Sequence, residues 1–254
     1  MIRIAAAGDM HASDANRERI ERGFAELDGA ADLVLLAGDL TTSGEPEQAE
    51  VLAAACRQLD VPIFAVYGNH DHQARRADEL GEVLGAAGVR LVDRACATCE
   101  IDGLEVGIAG AKGFVGGFPG SALPDFGEPL LRRVYAETTA EAEAIARGLQ
   151  AIAHCDLRIV LLHYSPVVDT LEGEPLGIHT YLGCERLALP IAENGADLVV
   201  HGHAHAGAFE GRIGEIPVYN VAVHVTGRNF WIFELDSSGV RRGGDVVEVR
   251  EPPG

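Results

Sequence analysis

The chain has 254 residues and carries a formal net charge of −19, from 39 acidic and 20 basic side chains. That balance argues against a long nucleic acid or an acidic membrane surface as a partner, because basic side chains hold both. A hydrophobic content of 47% is ample for a buried core. The chain shows neither a secretory signal nor an apolar run of the roughly 20 residues that span a bilayer, so we expect a cytoplasmic protein.

The cysteines point to a reducing environment. There are five of them, an odd number, which suits reduced thiols better than a disulfide framework. Cys96 and Cys99 form a CxxC pair, but no second pair accompanies it and no redox-type helix follows. We therefore interpret the pair as two thiols on a strand rather than as a zinc or redox site.

The N-terminal half alternates short apolar strands with amphipathic helices. The predicted strands cover residues 2–7, 33–37 and 63–67, and the predicted helices cover 14–27, a segment that begins at Pro46, and 74–87. Strands that are almost wholly apolar and are separated by helices indicate a parallel sheet with right-handed crossovers and both faces covered.

After Gly88 the pattern changes to shorter strands joined by turns, which indicates antiparallel pairing over 89–92, 95–101 and 104–111. Residues 112–127, rich in Gly, Pro and Phe, are either a lid or a buried connector. The later elements are predicted helices at 129–153 and 185–193, strands at 157–162, 197–200, 216–221, 229–235 and 246–250, and a hairpin turn at 237–239. Together they predict an α/β fold of two packed mixed β-sheets flanked by helices, in a single domain over 1–254.

Five of the predicted strands end directly at side chains that can bind metal ions or transfer protons. These side chains are Asp9 and His11, Asp39, Asn69 and His70, His163, and His203 and His205. Open α/β sheets place their sites beyond the carboxyl ends of the strands, where loops carry the chemistry. We therefore expect one site along that edge.

The same side chains fall into five ordered motifs that span residues 9–205. They read Gly8-Asp9-Met10-His11, Gly38-Asp39, Gly68-Asn69-His70-Asp71, His163 and Gly202-His203-Ala204-His205. This set resembles the calcineurin-like metallophosphoesterase family, whose pattern is Asp-x-His, Gly-Asp, Gly-Asn-His-Asp/Glu, a lone His and Gly-His-x-His. The resemblance implies a metallo-dependent phosphatase-like fold, a four-layer αββα sandwich, and a phosphoesterase activity.

The resemblance also implies a centre of two metal ions. Two ions held close together need a carboxylate that bridges them, with imidazole and oxygen ligands on each side, and Asp39 is the predicted bridge. By motif position, Asp9, His11, Asp39 and His205 hold one ion, and Asp39, Asn69, His163 and His203 hold the other. Ligands of these types accept Mn, Fe or Zn.

Such a pair of ions, about 3.5 to 4 Å apart, lowers the pKa of a shared water and holds phosphoryl oxygens during in-line attack. The resemblance therefore implies a metal-bridging hydroxide as nucleophile and His70 as proton donor to the leaving oxygen. The expected substrate is a small phosphate ester, with phosphodiesters favoured. Cyclic nucleotides are candidates, because the stretch 38–46 looks like that of cyclic-nucleotide members of the family. The alternatives are a phosphomonoesterase of the same fold and a non-catalytic metal-binding scaffold. The oligomeric state is left open.

Structural roles are the alternative for individual residues. A lone histidine at a strand end, such as His163, is usually a hydrogen-bonded structural residue, but the other four motifs favour a ligand here. The glycines at positions 38, 68 and 202 need only tight turns, although a close backbone approach to metals or phosphate explains them too.

The remaining histidines need an assignment as well. His201, His203 and His205 alternate, so spacing in an extended segment accepts either the first two or the last two as a ligand pair. Gly202 matches the motif before His203, and His201 continues the apolar strand, so we assign His201 a supporting role.

Two groups of polar residues lie close to the motifs or outside them. Asp71 and His72 are predicted to support the ligands or to lie on the surface. His154, His179 and His224 have no motif support and are predicted to be structural or peripheral, although His179, in the loop after His163, could still reach a substrate.

Overall fold

The computed structural model of the protein describes residues 1–236 and 239–242. It contains two six-stranded sheets. The strands of the first sheet are β1 (Ile2–Ala7), β2 (Leu33–Ala37), β3 (Ile63–Val66), β4 (Val89–Leu91), β11 (Trp231–Asp236) and β12 (Gly239–Arg242). Those of the second are β5 (Ala95–Ile101), β6 (Leu104–Gly110), β7 (Leu157–Leu161), β8 (Leu198–His201), β9 (Glu210–Ile213) and β10 (Ile216–Asn220).

Helices cover the outer faces of both sheets and fill the connections. They are α1 (Arg17–Ala25), α2 (Pro46–Cys56), α3 (Ala77–Ala86), α4 (Pro129–Ala151), α5 (His179–Leu182), α6 (Ala188–Asn194) and α7 (Val223–Thr226). Short 3₁₀ turns at Asp14–Asn16 and Glu185–Leu187 lead into α1 and α6, so the two predicted helices there begin as tighter turns. Within the described residues, no helix is long and apolar enough to cross a membrane.

The two sheets share one plan. Their orders are β12-β11-β1-β2-β3-β4 and β5-β6-β7-β8-β10-β9. In each, four neighbouring strands run parallel and the remaining pairings are antiparallel. The strands that precede the predicted ligands are all among the parallel ones, so their carboxyl ends meet at one edge.

Alternation along the strands builds three apolar layers. In β1, Ile2, Ile4 and Ala6 pack against the second sheet, whereas Ala5 and Ala7 face the helices. The layer outside the first sheet contains side chains of α1, α2 and α3, and the layer outside the second contains side chains of α4 and α6. The structure therefore confirms the predicted fold, two mixed sheets packed face to face between layers of helices.

Two sequence predictions about strands need correction. The segment 89–92 was expected to pair antiparallel with the strands that follow it, but β4 pairs parallel with β3 and extends the first sheet. Only β5 and β6 form the expected antiparallel pair. The strand β9 was missed, because Glu-Gly-Arg-Ile has neither an apolar run nor clear alternation. The predicted strand at 246–250 and the turn residues 237–238 lie outside the described residues.

The segment 112–127 divides into two parts. Residues 111–118 are largely buried, and the Lys112 carbonyl accepts hydrogen bonds from the backbone N–H groups of His163 and Tyr164, both at 3.0 Å. Residues 119–128 are mostly exposed, and Phe126 has 76% of its surface accessible. The first part is thus a buried connector that touches the His163 loop, and the second is a surface loop.

Candidate metal centre

The structure brings the predicted ligands together at the edge where the two sheets meet. Asp9, His11, Asp39 and His205 form one cluster, and Asp39, His163 and His203 form a second, with ligand atoms in each cluster within 4.8 Å of one another. Asn69 joins the second cluster, because its Oδ1 lies 2.9 Å from His163 Nε2. Asp39 is common to both clusters, which is the position that a bridging carboxylate requires.

The loops that carry these side chains have unusual backbone conformations. Asp9, His11, Asp39 and His203 have φ values of 59°, 47°, 47° and 70°. Such left-handed conformations are disfavoured for residues with a side chain, by roughly 1–2 kcal/mol per residue. Four of them at one site indicate a geometry that the surrounding structure imposes for function.

The glycines next to the ligands have two different explanations. Gly38 has φ of +78°, so its turn alone favours glycine. At Gly68 and Gly202 the reason is space, because an added Cβ would collide with the carboxylate of Asp39 or Asp9, respectively. The tight-turn explanation therefore holds for Gly38, whereas Gly68 and Gly202 leave room for the carboxylates of predicted ligands. A close approach of these glycines to metal or phosphate stays a prediction.

The two carboxylates are buried without a permanent positive partner. Asp9 and Asp39 are 0% and 1% exposed. Their ion-pair partners among the described residues are all histidines, with N···O distances of 2.9–3.9 Å. Burial raises the pKa of Asp9, although the hydrogen bond from His205 opposes that shift. Buried carboxylates are stable when paired or bound to metal, so this donor set fits divalent cations.

The surroundings of His163 give independent support for a cation. Its Nδ1 lies 3.0 Å from the Ala37 carbonyl, which can only accept, so Nδ1 carries the proton. Burial lowers the pKa of His163 well below its usual value, so the ring is neutral and Nε2 bears a lone pair. That lone pair faces Asn69 Oδ1 at 2.9 Å and Asp39 Oδ1 at 3.4 Å. With the Asn69 amide in this orientation, three electron-rich atoms face one another, and a cation bound between them would satisfy all three.

The histidines of the other motifs are also held in defined orientations. His203 Nε2 lies 3.1 Å from the Tyr181 carbonyl, which leaves Nδ1 available as a ligand, and burial lowers the pKa of His203 to about 3. Burial likewise lowers the pKa of His11 to about 4. The hydrogen bond to Asp9 raises the pKa of His205, so in this geometry the His205–Asp9 pair shares a proton that a metal ion would displace.

His70 lies beside the clusters at the surface of the site. Its Nδ1 is 2.7 Å from the Thr42 carbonyl, and its Nε2 is 3.9 Å from Asp39 Oδ2. The backbone N–H of His70 donates to Asp39 Oδ1 at 2.8 Å. The Thr42 carbonyl fixes the ring and directs Nε2 toward Asp39.

Asp71 has a supporting role that the sequence indicated only in general terms. Its carboxylate is fully buried and accepts hydrogen bonds from Leu40 N, Thr41 N and Oγ1, and Gly68 N, at 2.7–3.1 Å. It therefore ties the loop after β2 to the loop after β3. Burial raises the pKa of Asp71 to about 6, although the hydrogen bonds oppose that shift.

His201 lies outside both clusters. In β8, Leu198 and Val200 pack between the sheets, so His201 points to the opposite face, where its Nε2 is 2.8 Å from Thr170 Oγ1. The strand ends at His201, and the positive φ of His203 then breaks the simple alternation that the sequence had suggested.

We expect His201→Gln to keep two metal ions and much of any activity, because its contacts are with Thr170 rather than with the clusters. His203→Gln and His205→Gln should each deplete a different ion. Metal content by mass spectrometry distinguishes these results. A His201→Gln protein that lacks one ion, beside a fully loaded His205→Gln protein, would shift the ligand register by two residues.

Within the described part of the chain, the histidines outside the motifs make no ring contact with the histidines of the clusters, with one exception. His72 is exposed and lines a cavity together with the predicted ligand Asn69. His179 is buried, with its Nε2 3.2 Å from the Glu174 carbonyl. His154 lies near Glu105 and Cys155, in a separate group of possible metal ligands. All five cysteines are free, and the CxxC pair lies on β5. The exception is His224, whose ring stacks on that of His205 with centroids 4.1 Å apart.

A cleft beside the first cluster was not predicted. It has a volume of about 420 Å³ and is lined by Asp9, Met10, His11, Asn16, Arg19, Val223, His224, Gly227, Arg228 and Asn229. In the sequence, the lining residues nearest to a motif are Asn16 and Arg19, which follow the Asp-x-His motif by five and eight residues. The residues from 223 to 229 carry no motif and reach the cleft only through the fold.

Comparisons with known proteins agree with this arrangement. A phosphopantetheinyl hydrolase from Mycobacterium tuberculosis has a similar structure, with a TM-score of 0.67 and 15% identity over 99% of this chain and 98% of that one. TT1561 of Thermus thermophilus matches with a TM-score of 0.57 and 18% identity, over 95% and 98%. GAP50 of Plasmodium, described as the anchor in the inner membrane complex, matches with a TM-score of 0.59 and 11% identity, over 94% and 82%.

These structural likenesses show the fold alone, because the identities are low. No curated protein matched the sequence. The sequence model for calcineurin-like phosphoesterases, however, matches residues 2–207, a range that contains both clusters. With the two-sheet fold and the ordered motifs at its edge, the chain belongs to the calcineurin-like phosphoesterase family.

Proposed function

We propose that the protein hydrolyses small phosphate esters, phosphodiesters first among them, at a centre of two metal ions held by the two clusters. The observation that carries the proposal is the position of Asp39, buried and common to both sets of ligands. Asp9, His11 and His205 would complete one ion's ligands, and Asn69, His163 and His203 the other's. Mn, Fe and Zn all suit this mixture of imidazole, carboxylate and amide.

When bound, such ions supply positive charge to the phosphoryl oxygens and activate water as the nucleophile. The protein's own contribution is to hold the donors in place before substrate arrives. The strained backbone at Asp9 and Asp39, the hydrogen bonds that Asp71 accepts, and the neutral ring of His163 all serve that end.

We assign proton transfer to the leaving oxygen to His70. Its Nδ1–H is held by the Thr42 carbonyl, so a second proton on Nε2 faces the site rather than solvent. That nitrogen lies 3.9 Å from Asp39 Oδ2, at the edge of the two clusters. A proton donor within reach of the leaving group matters most for alkoxide leaving groups, which are strong bases.

A panel of phosphate esters, assayed with metal analysis on the same purified sample, tests the proposal. It should include bis(4-nitrophenyl) phosphate, 4-nitrophenyl phosphate and cyclic nucleotides, each with Mn, Fe or Zn added. Turnover of diesters above monoesters supports the proposal. Turnover of monoesters alone assigns a phosphomonoesterase, and two bound ions without turnover of any ester indicates the non-catalytic scaffold.

Long nucleic acids should be poor substrates. With 39 acidic and 20 basic side chains, the protein has little means to neutralise a phosphate backbone. We expect single-stranded DNA to be degraded far more slowly than small diesters at moderate salt, as measured by gel and by release of acid-soluble nucleotides. Efficient processive degradation would contradict the small-substrate assignment.

We further propose the cytoplasm as the location, in keeping with five free thiols.

A further inference from the structure

The cleft beside the first cluster carries two arginines on an otherwise acidic protein. Arg19 lies on α1 and Arg228 lies after α7, and both line the space that Asp9 and His11 also line. Among the described residues of that lining, the acidic side chain is Asp9, which accepts hydrogen bonds from the backbone N–H of His203 and lies 2.9 Å from His205 Nε2. Two arginines in one cleft are unexpected in a protein whose net charge is −19.

Arg19 is tied to the loop that carries the predicted ligand His11. Its Nη2 donates to the Met10 carbonyl at 2.9 Å, and its Nη1 lies 3.5 Å from Asn229 Oδ1. Asn16 donates to the carbonyls of Met10 and His11, at 3.2 and 3.1 Å. The guanidinium is thereby held next to the first cluster by the same hydrogen bonds that fix the cluster's loop.

The charge of Arg19 is partly desolvated. Both acceptors that it contacts are neutral, and no carboxylate within the described part of the chain forms an ion pair with it. Burial lowers the pKa of Arg19, which reports the cost of removing its charge from water. An anion bound in the cleft would offset that cost.

Arg228 also lines the cleft. Its guanidinium carbon lies 4.8 Å from the centre of the Trp231 ring, so a cation–π contact limits its rotation. His224, which also lines the cleft, stacks on His205 of the first cluster. A ligand bound in the cleft would therefore lie beside the predicted metal ligands Asp9 and His11, which line the same space.

We propose that this cleft binds a second phosphate group of the substrate, so that the preferred esters are small molecules with two phosphate groups, one of which is hydrolysed. The inference rests on the proposed phosphoesterase function, which it narrows. Guanidinium groups match phosphate with paired hydrogen bonds, and a cleft of about 420 Å³ is of the size that holds a small-molecule ligand. A cyclic nucleotide, with its single phosphate, would leave the cationic cleft unused.

A matched pair of substrates tests this. Thymidine 5′-(4-nitrophenyl phosphate) and its 3′-phosphorylated counterpart release the same chromophore from the same scissile group. We expect the 3′-phosphorylated ester to have the higher kcat/KM. In Arg19→Gln and Arg228→Gln that advantage should fall by about 10- to 100-fold, which is typical for a lost charge-assisted hydrogen bond. Arg19→Lys should retain part of it.

Arg17→Gln is the matched control, because Arg17 lies on the same helix and pairs with exposed Asp14 outside the cleft. It should leave the ratio of the two substrates unchanged. An equal loss on both substrates in Arg19→Gln would mean that the loop of His11 has been deformed, and it would overturn the inference. So would a wild-type enzyme without preference for the 3′-phosphorylated ester.

Calorimetry separates this inference from the proposed function. Thymidine 3′,5′-bisphosphate is titrated into the purified metal-loaded protein, and its binding should weaken by about 100-fold or more in the Arg19→Gln, Arg228→Gln double variant. Binding that is unaffected by the double substitution would overturn the cleft assignment. Arginine-dependent binding without turnover of any ester would instead overturn the proposed function and leave the cleft in place.

Discussion

Replacing Asp39 with alanine should remove both metal ions and lower turnover by roughly 10³-fold or more. Its carboxylate is the one ligand group shared by both clusters. Metal ions contribute several kcal/mol to the stabilisation of phosphoryl-transfer charge, and each 1.36 kcal/mol is about tenfold in rate. Asn69→Ala should chiefly weaken one ion, because Asn69 belongs to the second cluster alone.

Two further variants show whether the carboxylate itself is responsible. Asp39→Asn keeps an acceptor for the His70 N–H and tolerates the left-handed backbone at this position, so it should lose ions without collapse of the loop. Asp14→Ala, a change at an exposed acid, should keep both ions. Metal content by mass spectrometry and kcat on the same samples are the measurements. An Asp39→Ala protein with two ions per chain and full activity would refute the bridging assignment.

His70→Ala should lower kcat by about 10²- to 10⁴-fold while both ions remain bound, which is the range for loss of a general acid. The His70 ring packs edge-on against that of His11, with centroids 4.6 Å apart, and its backbone N–H donates to Asp39. Its side chain belongs to neither cluster, so its removal should leave the ligands in place. His72→Ala is the control, an exposed histidine in the same 3₁₀ turn, and it should retain turnover.

The leaving group provides the sharper measurement for His70. The loss in His70→Ala should shrink for 4-nitrophenolate, a weak base that needs little protonation, and should be largest for alkyl esters. A uniform loss across leaving groups would argue against proton donation. If the variant loses a metal ion instead, His70 is a ligand and the motif alignment is out of register.

The sequence predicted the fold and the location of the site because both depend on local patterns. The apolar strands that end before Asp9, Asp39 and His163 can be recognised in the sequence. The helices between the strands predict that the strands run parallel. The partner of β4 was not visible, since three residues of strand carry no information about which sheet they join. Pairing of so short a strand is decided by the tertiary packing around it.

The cleft is a second feature that could not be predicted from the sequence, because it depends on side chains that are far apart along the chain. Arg19 and Arg228 are separated by most of the chain, and only the packing of α1 against the segment after α7 brings them to one space. The sequence left Asp71 with either a supporting or a surface role, because its hydrogen bonds to Leu40 and Gly68 depend on how the two loops come together in the fold.

The division of the ligands between the two sheets has a consequence for cohesion. Asp9, Asp39 and Asn69 follow strands of the first sheet, whereas His163 and His203 follow strands of the second. Metal ions bound there would link the first sheet to the second at one edge. Occupancy then adds to the free energy of unfolding by linkage, about 2.7 kcal/mol when the free ion is at 100 times its Kd. Chelation would weaken the contact between the two sheets at the edge that carries the clusters, while the apolar layer farther along the strands still holds the sheets together.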